Sequence, residues 1–151
     1  MLDKNSVEFA TPQWFFDDLN DEFGPFDIDI AATDENAKCR TWISRDKNAL
    51  ESDWARLNNK VFCNSPYSKE AGPIGKWVEK AILESSRGCT VVMLLPADTR
   101  TTWFRKCCGI ASEVRLVDGA FKFDGGATSA RFGVCVVVFK PPRLYTYRRA
   151  M

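Results

Sequence analysis

The segment CTVVMLLPA, from Cys89 to Ala97, constrains the fold of this chain more than any other part of the sequence. It is nearly all apolar, which is typical of a parallel strand that is buried on both faces of its sheet. The apolar stretch is far too short to span a bilayer, since a membrane helix needs about 20 residues. A strand of this kind needs helices packed on both sides, so the sequence predicts an α/β fold.

Further strands and helices alternate around this segment. Apolar alternation or continuous apolar stretches predict strands over 26–30, 41–44, 61–63, 113–117, 120–123 and 131–139. Helical spacing of apolar residues predicts helices over 11–24, 73–88 and 99–111, a helix start at Asp34, and a short helix or turn over 48–57. We expect Thr11 to cap the first helix, Pro12 to occupy its first position, and Asp118-Gly119 to form a turn between two strands. This order predicts a mixed, mostly parallel sheet with helices on both sides and antiparallel edge strands.

Chain length and composition favour one domain. At 151 residues, with 45% hydrophobic and 27% charged residues, the chain is large enough for a real core and too small for two. We expect a single domain over 1–151, with its core in 9–140, a flexible N-terminus and a basic C-terminal tail, PPRLYTYRRAM. No basic segment followed by an apolar one opens the chain, so we expect a cytoplasmic protein without membrane contact, either a monomer or a weak dimer.

The absence of histidine excludes several classes of enzyme. Ser-His-Asp and Cys-His catalysis, histidine-ligated zinc and the usual general base near neutral pH all require this residue. The six cysteines form no CxxC pair, and Cys63, Cys89 and Cys135 lie in or beside apolar strands. We therefore expect unbridged buried thiols and no metal site.

The charge of the chain is nearly balanced but unevenly distributed. A net charge of +1 gives no global sign of a nucleic-acid partner. Residues 1–36 are acid-rich, whereas the C-terminal tail is basic and aromatic. A locally basic face on a nearly neutral chain remains compatible with nucleic-acid binding.

Two predicted strand ends carry side chains suited to chemistry, and ligands of open α/β sheets bind at the carboxyl ends of the strands. The strand over 61–63 ends in Asn64-Ser65-Pro66-Tyr67. Pro66 holds Ser65 extended, so we expect the Ser65 carbonyl and the Asn64 side-chain oxygen to form two adjacent acceptors beside the Tyr67 ring. A plain strand-to-loop turn is the alternative, because Asn, Ser and Pro are common turn formers.

This pair of acceptors matches a planar amino group on an aromatic ring. The lone pair of such an amine is delocalised into the ring, which makes the nitrogen a poor nucleophile. Two acceptors that bind its hydrogens favour pyramidalisation and direct the lone pair at an electrophile, without a strong base. That chemistry fits an asparagine, which cannot ionise, in a chain without histidine.

The other strand end, Asp29-Ile30-Ala31-Ala32, suits a cofactor that contains a nucleoside. Small residues at Ala31 and Ala32 let a ligand approach the backbone, and Asp29 can accept from an ammonium group or a ribose hydroxyl. An acidic residue at the edge of a solvated loop is the alternative. The chain has no GxGxxG sequence, so a dinucleotide-binding fold of the usual type is not supported.

Three segments in this order resemble the phage-type DNA N-6-adenine methyltransferase (Dam) family: TPQWFFDDLNDEFGPFDIDIAATDENAKC, FCNSPYS and VVMLLPADTRTTWF. The resemblance covers roughly residues 9–140. It implies a Rossmann-like methyltransferase fold, S-adenosylmethionine as cofactor, and methyl transfer to the exocyclic amine of adenine in DNA. It further implies a phage or prophage gene expressed in a bacterial host cell. A chain this short implies no separate target-recognition domain.

The resemblance assigns catalytic roles to one strand end. Asn64, Ser65, Pro66 and Tyr67 match the family's catalytic tetrapeptide, usually Asn- or Asp-Pro-Pro-Tyr. It implies that Asn64 and the Ser65 carbonyl accept from the adenine amine, and that the base stacks on Tyr67. Because adenine inside a duplex cannot reach such a pocket, the resemblance also implies a flipped-out base.

Two further sets of residues are candidates for binding. The resemblance matches Thr11, Pro12, Asp29, Ala31 and Ala32 to the family's cofactor-binding segments. Asp46 and Asn48 are further candidates for this site, and each is equally readable as a polar residue of a solvated loop. Basic residues near the mouth of the site are candidates for contacts with DNA phosphates, with a merely solvated charge as the alternative: Lys69, Arg100, Arg105 and Arg131.

The chain departs from the family pattern at Ser65, which stands where the tetrapeptide has proline. The second residue acts through its backbone carbonyl, so we expect activity to survive. Two alternatives stay open. One is a methyltransferase of the same chemistry that acts on RNA or on protein glutamine. The other is a catalytically inactive module that binds S-adenosylmethionine and DNA.

Overall fold

A six-stranded sheet runs through the part of the chain that the structure describes, residues 10–44, 48–57, 59–66, 73–124 and 129–143 of a computed structural model. Its strands are β1 (Ile28–Ile30), β2 (Trp42–Ile43), β3 (Lys60–Asn64), β4 (Thr90–Pro96), β5 (Glu113–Leu116) and β6 (Val134–Phe139). In space they follow the order β2-β1-β3-β4-β6-β5. Much of the predicted N-terminal segment and C-terminal tail lies outside the described residues.

Four neighbouring strands are parallel, and the sheet becomes antiparallel at one side. β2, β1, β3 and β4 pair in parallel, whereas β6 pairs antiparallel with both β4 and β5. The mixed, mostly parallel sheet is therefore confirmed. The antiparallel pairing involves the last strands of the chain, as predicted. Of these, β5 forms the edge of the sheet, whereas β6 lies inside it.

Helices cover both faces of the sheet. They are α1 (Gln13–Phe23), α2 (Trp54–Leu57), α3 (Ile74–Ser86) and α4 (Thr102–Ile110). Buried side chains of α2, α3 and α4, such as Trp54, Trp77 and Phe104, pack on one face. Phe16 and Leu19 of α1 pack on the other, together with aromatic side chains from the connection between β5 and β6. The central strand β4 is buried on both faces, as its apolar sequence predicts.

The start of α1 differs from the prediction. The helix begins at Gln13, Pro12 is its extended N-cap residue, and no side chain caps it. The expected cap, Thr11, instead accepts a hydrogen bond from the side chain of Asn64. The prediction that Thr11 caps the helix is therefore wrong, because a distant partner takes up its hydroxyl.

Gly24 ends α1 as predicted, and the reason is close packing. A Cβ atom at this position would lie 2.5 Å from the Asn20 carbonyl oxygen and 2.6 Å from Asn20 Oδ1. Asn20 Oδ1 accepts from the backbone N–H of Phe26 at 2.8 Å, which fixes the entry into β1. Only glycine fits between these atoms.

The predicted helix start at Asp34 is wrong, because the chain forms a turn there. Asn36 Oδ1 accepts from the backbone N–H of Thr33 at 2.7 Å, and the Thr33 carbonyl accepts from Ala37 N–H at 2.9 Å. Short polar side chains that bond to nearby backbone compete with helix formation. That local competition decides the conformation of this segment.

The predicted strand over 120–123 is also wrong. Phe121 and Phe123 are buried in the aromatic core, so their alternation reflects packing without a strand ladder. Asp124 forms an isolated antiparallel bridge with Ala10, whose carbonyl accepts from Asp124 N–H at 2.9 Å. Gly119 has φ +73°, consistent with the predicted turn at Asp118-Gly119. That turn lies within a long connection and not between two strands.

A buried carboxylate joins α2 to α3. Glu84 is fully buried, and its Oε2 accepts from the backbone N–H of Ala55 at 2.7 Å. Its Oε1 accepts from Lys80 Nζ, also at 2.7 Å, and Lys80 lies over the ring of Trp54. This contact satisfies a backbone donor at the start of α2, a helix too short to be stable alone.

Candidate active site

The two strand ends predicted to carry chemistry lie side by side at one edge of the sheet. β1 and β3 are adjacent and parallel, with Ile30 opposite Cys63. Neighbouring strands are about 4.8 Å apart. Ala31, directly after β1, and Asn64, the last residue of β3, therefore lie on adjacent strand ends. The carboxyl end of β4, at Pro96, completes this edge because Asn64 lies opposite Leu94. The fold thus brings the two predicted sites together.

Asn64 is held by a residue far away in the sequence. Its Nδ2 donates to Thr11 Oγ1 over 3.0 Å. Thr11 is 4% exposed, so water does not compete for its hydroxyl. This contact places the NH₂ end of the carboxamide at Thr11, and the carbonyl oxygen Oδ1 is also buried.

Ser65 and Pro66 continue from Asn64 in an irregular segment. Ser65 is 2% exposed, and its buried Oγ has no hydrogen-bond partner among the described residues. A buried hydroxyl without a partner costs about 1–3 kcal/mol, which marks a site worth a functional explanation. Tyr67, the last residue of the predicted tetrapeptide, lies outside the described residues.

Asp29 is a buried acid on β1, 4% exposed. Its Oδ2 accepts from the backbone N–H of Lys38 at 2.9 Å. Burial raises the pKa of the Asp29 carboxyl to about 7, an effect that the Lys38 N–H and the Lys38 charge only partly oppose. The carboxyl therefore changes charge near neutral pH, which distinguishes it from the acid of a solvated loop.

Ala31 adopts a conformation that side chains disfavour. Its φ of +68° lies in the left-handed region, which costs a non-glycine residue about 1–2 kcal/mol. The neighbouring strand holds it there, because Ala31 N–H donates to the Ile43 carbonyl at 2.8 Å. The chain thus turns sharply at the carboxyl end of β1, with Ala32 buried next to the turn. Strained backbone of this kind is often found at ligand sites.

The remaining cofactor candidates are Asn48, Asp46 and Pro12. Asn48 is exposed, has φ +55°, and its carbonyl accepts from Ser52 Oγ and from the N–H groups of Glu51 and Ser52. These contacts account for Asn48 as a turn residue. Asp46 lies outside the described residues. Pro12 is buried beside Thr11 and contributes its ring to the wall of a neighbouring pocket.

Of the candidate DNA contacts, Arg100, Arg105 and Arg131 are exposed. Arg100 follows β4 and is bidentate to Asp98, with Nε–Oδ1 at 2.9 Å and Nη2–Oδ2 at 3.0 Å. Arg105 lies on α4, and Arg131 precedes β6. Lys69 lies outside the described residues.

The described ranges contain no group of three or more His, Cys, Asp or Glu side chains that could hold a metal ion. None of the six cysteines, all within those ranges, forms a disulfide; four are buried, Cys39 is partly buried and Cys108 is exposed. Among the described helices, none has the length and apolar character needed to cross a bilayer.

A protein-family model described as DNA N-6-adenine-methyltransferase (Dam) matches residues 2–139. The chain belongs to this family. The match includes both strand ends of the site and extends from before Thr11 to the end of β6. Membership in the Dam family confirms the resemblance that the sequence suggests.

Individual relatives agree with the Dam assignment. A "DNA N-6-adenine-methyltransferase" of Escherichia phage T1 is 32% identical over 126 residues, covering 83% of this chain and 51% of the relative. A protein of the same name from Haemophilus phage HP1 is 33% identical over 107 residues, covering 70% and 59%. The "Putative methyltransferase YfdM" of Escherichia coli K12 is 38% identical over 64 residues, covering 40% and 70%. The chain thus spans between half and three fifths of the length of the two phage relatives.

Two features of the site could not be read from local sequence patterns. The sequence gives no sign that the Lys38 backbone binds Asp29, since this contact closes a loop of nine residues that has no periodicity. The bridge between Ala10 and Asp124, which places the N-terminal segment across the sheet edge, joins residues distant in the sequence. In the Dam family, alignment of related sequences is the signal that would detect such pairs.

Proposed function

We propose that this chain is an S-adenosylmethionine-dependent DNA adenine-N6 methyltransferase with a Rossmann-like methyltransferase fold. The observation that carries the proposal is the Asn64 carboxamide, held by Thr11 at 3.0 Å on the strand end next to the Asp29-bearing one. Family membership gives the reaction class. Methyl transfer to an amine requires that the amine and the methyl donor are held close together. Asn64 would hold the amine, and the neighbouring end of β1 would hold the donor.

The strand end of β1 fits the cofactor. Ala31 turns in the left-handed conformation and Ala32 is small, so a ligand can approach the backbone there. Asp29 would accept from the ammonium group or a ribose hydroxyl, and a nearby cation would lower its pKa from about 7. When bound, S-adenosylmethionine supplies a methyl group on a positively charged sulfur. Thr11, Pro12, Asp46 and Asn48 are further candidates for this site, although Thr11 acts on Asn64 in the geometry described above.

The strand end of β3 would bind the adenine amine. Asn64 Oδ1 and the Ser65 carbonyl accept its two N–H groups, which favours a pyramidal nitrogen and directs the lone pair towards the methyl donor. Neither acceptor is a strong base, so the amine would keep both hydrogens until methylation. The S–C bond of the donor would break as the N–C bond forms, and the surplus proton of the methylated nitrogen would then pass to water. Pro66 limits the conformations of Ser65 and keeps its carbonyl direction fixed.

A duplex adenine must be flipped out to reach these acceptors. Stacking on Tyr67 would offset part of the unstacking cost, by about 1–3 kcal/mol. Lys69, Arg105 and Arg131 would bind phosphates, and Arg100 would do so only by exchanging its contact with Asp98. The protein would act as one domain in the cytoplasm of a bacterial host cell, as a monomer or weak dimer.

Methyl transfer from radiolabelled S-adenosylmethionine tests the proposal directly. The purified protein is offered DNA lacking adenine methylation, RNA, and a glutamine-containing protein in parallel. We expect label in DNA, released as N6-methyladenine after digestion. Label confined to RNA or protein, or cofactor binding without transfer to any substrate, would contradict the proposal.

A further inference from the structure

A pocket of about 530 Å³ lies beside the candidate active site and has no role in the reaction proposed above. It is formed between the start of α1 and the connection that follows β5. Its volume falls within the range of about 300–1,000 Å³ typical of small-molecule sites. Its lining includes Pro12, Trp14, Asp118, Phe121, Lys122 and Asp124.

Trp14 gives this pocket an exposed aromatic surface. Its side chain is 63% exposed, whereas the other aromatic residues of the helix are buried (Phe16) or half-buried (Phe15 and Phe23). The Trp14 ring packs against Phe121, which is 5% exposed, with 6.5 Å between the ring centroids. Phe121 in turn packs against Phe15, with 4.9 Å between the centroids. A single exposed aromatic residue needs no explanation by itself. An exposed indole that is held by a buried aromatic side chain beside a pocket can act as a stacking surface.

The pocket is next to the candidate catalytic amide. Thr11 directs its side chain to Asn64, while the following residue, Pro12, lines the pocket. Consecutive Cα atoms are about 3.8 Å apart. On the other side, Asp124 lines the pocket and bridges Ala10. Residues 10–12 therefore separate the proposed adenine site from the pocket by the width of one chain segment.

The charges around the pocket select the kind of group that it can take. Asp118 and Asp124 are exposed carboxylates, and Lys122 is the one cation among the described residues that line it. Two carboxylates beside one ammonium group repel a phosphodiester. They accept hydrogen bonds from amino groups, such as those on the edges of nucleobases. Aromatic stacking on Trp14 and polar acceptance by the carboxylates together suit an unpaired base.

We propose that this pocket receives a nucleobase that flanks the target adenine, stacked on Trp14, and so contributes to the choice of methylated sequence. The inference rests on the proposed DNA adenine methylation. The pocket would give the sheet domain itself a means of selecting the methylated sequence. The base would carry an amino group, which Asp118 or Asp124 accepts.

The test uses defined DNA duplexes that contain the target sequence mapped for the wild-type protein. An abasic site replaces each base within three positions of the target adenine in turn, and kcat/KM for methylation is measured with the full chain. We expect one position at which loss of the base lowers wild-type kcat/KM roughly 5- to 150-fold. In Trp14→Ala, intact DNA should already show this loss, and the abasic duplex should show no further decrease.

Three controls keep the outcome interpretable. Trp14→Phe preserves a stacking ring and should retain sensitivity to the abasic site. Ile110→Ala removes a comparably exposed apolar side chain, 53% exposed, from α4 on the opposite face of the sheet, and should behave as wild type. Asp118→Asn combined with Asp124→Asn should reduce the preference for an amino-bearing base at the sensitive position.

The two proposals fail in distinguishable ways. If wild-type protein methylates DNA but Trp14→Ala shows the same abasic profile, the pocket assignment is overturned and the proposed function stands. The pocket assignment is equally overturned if no flanking position is sensitive in the wild type. Absence of methyl transfer to intact DNA by the folded wild-type protein would instead overturn the proposed function itself.

Discussion

Asn64 Nδ2 donates to Thr11 Oγ1 over 3.0 Å, joining the end of β3 to a residue 53 positions earlier in the chain. This contact places the NH₂ end of the carboxamide against Thr11. An asparagine amide can in principle turn over and present either an oxygen or an NH₂ group. With the NH₂ end at Thr11, Oδ1 is the end that we propose to accept hydrogens from a substrate.

The first prediction concerns Thr11. Thr11→Val keeps the shape of the side chain but removes the hydroxyl that accepts from Asn64 Nδ2. If this hydrogen bond holds the amide in its productive orientation, its loss should cost transition-state binding about 1–3 kcal/mol, so we expect kcat for methyl transfer to fall roughly 5- to 150-fold. The dissociation constant of S-adenosylmethionine should change by less than about threefold, because Thr11 acts on the amide. Steady-state kinetics and calorimetric titration measure these two quantities.

Thr11→Ser is the matched control for this variant. It retains the hydroxyl and should keep at least about a third of wild-type kcat. If Thr11→Val instead weakens cofactor binding and leaves kcat unchanged, Thr11 belongs to the cofactor site, as the family resemblance implies, and does not position Asn64.

The second prediction concerns the pH dependence produced by Asp29. Its folded pKa, raised to about 7, lies above the unfolded value of 3.8, so between these values the folded state keeps a proton that the unfolded state has lost. Stability therefore falls as pH rises from about 4 to 7, since the folded state binds more protons. Asp29→Asn removes this dependence, a difference of roughly 4 kcal/mol across the window. Urea unfolding at a series of pH values measures it.

The cofactor gives an independent measure of the same group. If Asp29 binds the cofactor as a carboxylate, affinity for S-adenosylmethionine should increase as pH rises through 7, and Asp29→Asn should lose this increase. Parallel stability curves for wild type and Asp29→Asn between pH 4 and pH 8 would show that Asp29 is already ionised, contrary to this account.

The third prediction concerns the left-handed residue at the end of β1. Ala31→Gly relieves the strain at φ +68°, so we expect the free energy of unfolding to rise by about 1 kcal/mol. Ala32→Gly is the control, because Ala32 is not among the residues with positive φ. That change should lower stability by roughly 0.5–1 kcal/mol. Equal effects of the two substitutions in denaturant unfolding would argue against strain at Ala31.

The fourth prediction concerns the buried carboxylate on α3. Glu84→Gln leaves Lys80 without its charged partner and weakens the contact with Ala55 N–H, so we expect a loss of about 3–5 kcal/mol in the free energy of unfolding. Glu79, on the same helix, is exposed and pairs with Lys106 at 3.9 Å. Glu79→Gln should change stability by less than about 0.5 kcal/mol. A Glu84→Gln protein as stable as Glu79→Gln would contradict the role assigned to this contact.

Periodicity predicted most elements of the fold. The apolar run at β4, the amphipathic spacing of α3 and the alternation before Ile30 reflect burial, which decides the structure directly. The prediction fails where local polar contacts or aromatic packing compete with periodicity. Asn36 bonds to Thr33 N–H and replaces a helix by a turn, and Phe121 is buried without a partner strand.

The candidate site was predicted in part. Asp29 lies near the end of the alternation over 26–30 and Asn64 follows an apolar stretch, so the position of both near the carboxyl ends of their strands can be inferred from the sequence. The contact between Asn64 and Thr11 could not be inferred, because it depends on how residues 10–12 cross the sheet edge. Local sequence also gave no reason to expect a left-handed conformation at Ala31, where glycine is the usual residue.

The most direct test of the central claim is to express wild type, Asn64→Asp and Asn64→Ala in cells that lack adenine methylation and to sequence their native DNA. Wild type should place N6-methyladenine at a defined sequence. Asn64→Asp, which keeps an acceptor oxygen that can bind the Thr11 hydroxyl, should place fewer marks at the same sequence, and Asn64→Ala should place none. The account is contradicted if folded Asn64→Ala methylates as wild type does, or if folded wild-type protein leaves the adenines unmodified.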